Sequence, residues 1–107
     1  MSITTSDAQF GRFRIPHDSI FYRTSQSIAF VNLRPIVPGH VLIMPHRIVP
    51  KLKDLNEDEY IDLWKTVRVV QTILTQHNNT TTSVDFNVAV QDGPAAGQSV
   101  PHVHVHI

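Results

Sequence analysis

Residues 91–107 read QDGPAAGQSVPHVHVHI, and both the fold and the chemistry turn on that run. His102, His104 and His106 alternate with Val103, Val105 and Ile107. Strict alternation over β-branched residues is the pattern of a strand with one buried face, so the three imidazoles are expected to share a face. Immediately upstream, Gly93, Pro94 and Gly97 make a loop in which backbone N–H groups can approach a phosphate, with Gln91 and Gln98 as neutral donors beside it. A nucleophile and an anion cradle would then lie side by side.

Three alternating imidazoles have more than one reading. The plainest is a half-exposed strand whose polar positions are histidine. A second is a zinc site, since neutral imidazole is a common ligand, although the chain has no cysteine to complete a mixed site and zinc does not call for the Gly/Gln loop. The third makes the middle imidazole a nucleophile toward phosphorus. A neutral ring nitrogen attacks, and the labile P–N bond is then broken by water, so one hard step becomes two easier ones. With an ordinary pKa near ~6.5, a histidine is mostly neutral at cytosolic pH, and neighbouring imidazoles disfavour one another's cations.

The same residues resemble a known family. HVHVHI matches the His-x-His-x-His pattern, x hydrophobic, of the histidine triad superfamily, and the longer run through Gln91 is similar to its fragile-histidine-triad branch. Phe30-Val31-Asn32, the segment from Pro35 through Gly39 and His40 to Leu42, and the helix entry at Asp54-Leu55 are similar too, so the resemblance covers residues 10 to 107. It implies a dinucleoside polyphosphate hydrolase, most simply one converting diadenosine triphosphate to AMP and ADP. His104 would attack the α-phosphorus, His102 and His106 would orient it and touch phosphate, and His40 would support them. Gln91, Gly97, Gln98, Ser99 and Val100 would hold phosphate oxygens, and Asn32 the ribose. Phe10, Ile15 and Leu42 would line the base pocket. No cofactor would be bound permanently; Mg²⁺ or another divalent ion would travel with the polyphosphate. Competing readings are a phosphoramidase acting on P–N substrates, a zinc-dependent hydrolase, and a nucleotide-binding module with little turnover. The family pattern continues past Ile107 with another hydrophobic residue and a tail, which are expected to be missing from this sequence.

The whole chain sets bounds on these readings. Its 107 residues suit one domain. A formal net charge of zero supplies no basic field, which argues against a nucleic-acid polymer as partner. Absence of cysteine excludes a thiol nucleophile and suits a reducing compartment. MSITTSDAQF has neither a basic nor an apolar leader region, so the expectation is a cytoplasmic protein, with the nucleus as a second location and no membrane span.

Element by element, Met1 to Gln9 reads as a polar, disordered arm and residues 10–107 as the domain. Ile20 to Tyr22 and Ile28 to Leu33 read as hairpin arms around Thr24 to Ser27, and Pro35 and Pro38-Gly39 as a turn. His40 to Pro45 reads as a buried central strand, and Val84 to Gln91 as an alternating strand delivering Gln91 to the loop. Between them, Asn56 with Glu59 forms a capping box, and Leu55 with Tyr60 a hydrophobic staple. Tyr60, Leu63, Trp64, Val67 and Leu74 then keep helical spacing to about Gln76, before the Asn78-Asn79 breaker and a loop to Ser83. The order implies an α+β domain, an antiparallel sheet of about five strands with one main helix. A small sheet with an open edge invites pairing, and the resemblance implies a homodimer.

Overall fold

The computed structural model describes residues 6–32, 40–77 and 84–107. The expected turn at Pro35 and Pro38-Gly39, the end of the hairpin arm at Leu33, the Asn78-Asn79 stop and the loop to Ser83 lie outside the described residues, as do Met1 to Thr5.

Among the described residues the architecture is α+β. Strands β3 (Ile20–Arg23), β4 (Ser27–Val31), β5 (Val41–Pro45), β6 (Ala89–Val90) and β7 (Val105–His106) form a sheet ordered β3-β4-β5-β7-β6, with every pairing antiparallel. Helix α1 (Glu57–His77) packs on one face. The other face carries a separate antiparallel hairpin of β1 (Ala8–Phe10) and β2 (Phe13–Ile15).

Burial on both faces explains why β5 reads as an unbroken apolar run rather than alternating. Leu42 and Met44 point toward the hairpin, where they join Ala8, Phe10, Ile15, Ile28 and Phe30. Val41 and Ile43 point the other way, with Ala29 and Val105, onto Leu63, Val67 and Val70 of α1. The register, Ile28 opposite Met44 and Phe30 opposite Leu42, keeps like faces together; a slip of one residue would exchange the two cores.

The helix starts as its sequence dictates. The Asn56 side chain accepts from the Glu59 N–H at 2.8 Å while the Glu59 carboxylate accepts from the Asn56 N–H at 2.9 Å. Glu59 is also held by Arg47, whose guanidinium donates to both carboxylate oxygens, and this ion pair keeps its carboxyl below the usual range. One flank of α1 is fastened by Asp62, which accepts from the hydroxyls of Thr24 and Ser27 at the β3–β4 turn. Tyr60 does not belong to the buried stripe: it is 44% exposed, because it lies on the opposite flank from Asp62.

Three boundaries are corrected. The arm expected to run to Gln9 ends earlier, because Ala8 to Phe10 pair with β2 and Asp7 holds Arg14 and the backbone N–H of His17. The strand expected over Val84 to Gln91 is confined to Ala89–Val90, and that of the histidine run to Val105–His106. No helix among the described residues is long and apolar enough to cross a membrane.

Candidate active site

The histidine run leaves the sheet ladder before its first two imidazoles. The His102 N–H turns back to the Val100 carbonyl, and the Val103 N–H donates to the Val49 carbonyl. The segment after β5 thus serves as an irregular neighbouring strand, and its carbonyls fix the chemistry of the imidazoles.

His102 is fully buried. Its Nδ1 accepts from the Gly11 N–H at 3.0 Å, so its Nε2 carries the proton and donates to the Pro45 carbonyl at 2.8 Å. Both nitrogens are therefore engaged inside the protein, and the expected phosphate contact is corrected: His102 pins the hairpin to the sheet. Gly11 occupies the left-handed region at φ +57°, and a Cβ there would lie 2.7 Å from Val100 Cγ1. Only glycine lets this turn settle on the histidine run.

His104 donates from Nδ1 to the His102 carbonyl at 2.8 Å. That bond assigns the tautomer: the proton sits on Nδ1 and Nε2 keeps its lone pair. Phe10 meets the ring edge-on at 4.8 Å between centroids, and His106 lies at 4.8 Å on another side. Burial pushes the His104 pKa below its ordinary value, offset in part by the carbonyl bond. The ring is neutral and oriented, with a lone pair on Nε2.

His106 ends a short relay. The Asn32 carboxamide N–H faces Nδ1 of His40 at 3.2 Å, and Nε2 of His40 faces Nδ1 of His106 at 3.2 Å. With Asn32 donating, each histidine accepts on Nδ1 and donates from Nε2. The relay leaves the His106 Nε2–H buried and, among the described residues, without a hydrogen-bond partner. Such an orphan donor calls for an acceptor that the substrate supplies. Burial, then His104 and His40, depresses the His106 pKa to about 4, so this donor is the neutral imidazole.

The anion cradle is narrower than the sequence suggested. In the Gly93 to Gln98 loop the backbone closes on itself, the N–H groups of Ala96 and Gln98 both donating to the Gly93 carbonyl. The Gln98 side chain accepts from the Gly93 N–H at 2.9 Å and donates to the Pro50 carbonyl at 2.7 Å. It is a latch on the loop, and the Pro50 bond uses one of the two N–H groups of its carboxamide. Among the described residues the N–H groups of Ser99 and Val100 have no protein acceptor, and these two consecutive donors lead directly into the histidine run. Gly97 takes φ +96°, and a Cβ there would lie 2.6 Å from Nε2 of Gln91; the Gln91 carboxamide thus rests on the loop, where it can join the cradle.

The apolar residues divide. Phe10 packs on His102 and His104 as well as on Phe30, making a wall of the site. Ile15 and Leu42, at 3% and 4% exposure, belong to the core cluster that contains Phe10. Sequence reasoning missed the β1–β2 hairpin, the Gly11 N–H and the Pro45 carbonyl. Its one legible trace was Phe10-Gly11-Arg12-Phe13, a glycine turn between two aromatics that face each other across the strands.

A model described as HIT domain matches residues 14–107. The chain belongs to the HIT domain family. This HIT domain is 49% identical over 106 residues to a nitrilase and fragile histidine triad fusion protein of Caenorhabditis elegans, covering 99% of this chain and 23% of that one. The crystal structure of that protein superposes with a TM-score of 0.89 at 48% identity, covering 98% of this chain and 25% of the other. It is 48% identical over 107 residues to a bifunctional bis(5'-adenosyl)-triphosphatase/adenylylsulfatase of Arabidopsis thaliana, all of this chain and 58% of the relative. Against an asymmetrical bis(5'-nucleosyl)-tetraphosphatase of Schizosaccharomyces pombe it is 51% identical over 98 residues, 92% of this chain and 52% of the relative. The HIT domain thus spans between about a quarter and three fifths of the length of these relatives.

Proposed function

We propose that this HIT domain hydrolyses dinucleoside polyphosphates, diadenosine triphosphate foremost, to a mononucleotide and a nucleoside polyphosphate. The observation that carries this reading is the orientation of His104, its Nδ1 proton held by the His102 carbonyl and its Nε2 left bare, beside the orphan donor of His106. In the first step Nε2 of His104 bonds to the α-phosphorus while the bond from that phosphorus to the bridging oxygen breaks. ADP leaves as its phosphate anion, the bridging oxygen accepting a hydrogen bond from the His106 Nε2–H without taking its proton, and the Ser99 and Val100 N–H groups hold the charge on the nonbridging oxygens. In the second step water attacks the same phosphorus, the P–N bond breaks with its electron pair returning to Nε2 of His104, and AMP departs, the proton of the water passing through the phosphate to solvent. Asn32 acts here by fixing the proton of His40, and its contact with ribose is part of the proposal. Mg²⁺ enters with the polyphosphate, whose oxygens suit a hard cation better than the imidazoles and amides of the site do.

Both the names of the relatives in Arabidopsis and fission yeast and the geometry support this reading. Intact-mass measurement after rapid mixing with diadenosine triphosphate tests it. An adenylyl adduct that maps to His104 is the expected result; turnover without an adduct on that residue overturns it.

The assembly is proposed to be a homodimer in the cytoplasm. The flank of α1 opposite Asp62 presents an open groove of about 420 Å³ lined by Tyr60, Ile61, Trp64, Lys65 and Arg68, and Nε1 of Trp64 is buried there without a partner. Among the described residues β6 is an edge strand of the sheet, next to the exposed Val88. An open edge strand and an apolar groove each suit a second copy. Sedimentation velocity is expected to return twice the chain mass, and a single chain mass at micromolar protein would refute it.

A further inference from the structure

We propose that Arg12 is a specificity-determining residue that grips the phosphates beyond the one attacked, and so sets the preferred length of the polyphosphate; this rests on the hydrolase reading above. Gly11 and Arg12 are the two turn residues of the β1–β2 hairpin, between the paired Phe10 and Phe13. The turn sits on the site: the Gly11 N–H reaches His102 Nδ1 at 3.0 Å, and its Cα faces the Val100 side chain so closely that a Cβ would meet it at 2.7 Å. Val100 supplies one of the two unpartnered N–H groups of the cradle. Arg12, the next residue along the turn, is therefore anchored at the rim of that cradle.

Its partners differ from those of its neighbours. Arg14 pairs with Asp7 at 3.0 Å, Arg47 with Glu59 at 2.8 Å, and Arg23 donates to the Ser6 carbonyl. Arg12 is exposed and, among the described residues, meets no carboxylate; its guanidinium lies over the Phe13 ring at 5.1 Å from the centroid. A cation held on an aromatic face is easily surrendered to an anion. The catalytic groups are neutral imidazoles and amides, while a dinucleoside polyphosphate brings several negative charges. The fork of a guanidinium matches two phosphate oxygens at once, which an ammonium cannot reproduce.

The test compares wild type, Arg12→Ala and Arg12→Lys on diadenosine triphosphate, diadenosine tetraphosphate and adenosine phosphoramidate, which has no phosphate beyond the one attacked. Arg12→Ala is expected to raise KM for the triphosphate by about tenfold and for the tetraphosphate by more, with kcat within about twofold and the phosphoramidate unaffected. Arg12→Lys recovers part of the loss, and added salt narrows the gap. Equal losses on all three substrates, or none on any, overturn the proposal. Should wild-type protein cleave none of them, the hydrolase reading fails by itself. Calorimetric binding of inorganic tripolyphosphate to wild type and Arg12→Ala then decides the role of Arg12: about tenfold weaker binding by the variant supports it, and equal affinities refute it.

Discussion

Replacing His104 with Ala lowers kcat for diadenosine triphosphate by roughly 10⁴-fold or more, with nucleotide affinity changed little. Loss of a nucleophile removes the covalent route, and no other group in the site can substitute for it. His102 has both nitrogens bound within the protein, and the lone pair of His106 on Nδ1 is turned to His40. The Ser99 and Val100 N–H groups, the His106 donor and the Phe10 wall all remain, so binding survives. Steady-state rates alongside equilibrium titration with a mononucleotide check both halves. A variant within tenfold of wild type in kcat would remove His104 from the reaction. The variant leaves the His102 carbonyl without its donor, a cost of about 1 kcal/mol, so a thermal melt must accompany the assay.

The second large effect falls on stability rather than rate. His102→Ala is expected to lower the free energy of unfolding by about 3–5 kcal/mol, read from urea denaturation with the denaturant slope unchanged. The substitution opens a cavity at a fully buried position and strands two polar groups, the Gly11 N–H and the Pro45 carbonyl. It also unpins the hairpin from the sheet, although Phe10 and Ile15 remain packed against Phe30 and Leu42. A loss below about 1 kcal/mol would show that the hairpin is held by its apolar contacts alone.

Much of this was legible because the physics was local. The capping box announced the helix from residues three apart, and the VLIM run announced a strand covered on both sides. The alternating histidines announced that the imidazoles lie together, and His104 and His106 do, at 4.8 Å between ring centroids. What the alternation could not reveal was that the strand ladder reaches only Val105 and His106, because the backbone bond from His102 to Val100 and that from Val103 to Val49 draw the chain away. Nor could it assign the three imidazoles. Their roles are set by carbonyls of Pro45 and His102 and by a glycine N–H 91 positions away in sequence, and main-chain groups leave no residue-type signal. Gln98 was half legible for a related reason: a carboxamide near a glycine loop serves as ligand donor or as loop clasp, and its bond to the Pro50 carbonyl adds the second role. For Ile15 and Leu42 composition is silent, because apolar residues in a pocket wall and in the layer behind it are alike.

The proton on the His104 ring is seated by a peptide carbonyl, where many enzymes use an aspartate. A carboxylate there would make the imidazole more basic, but it would also set a full negative charge beside an incoming polyanion and beside the P–N adduct. The peptide oxygen orients the ring with only a partial charge. It is also beyond the reach of point mutation, since every residue type at position 102 would carry the same oxygen.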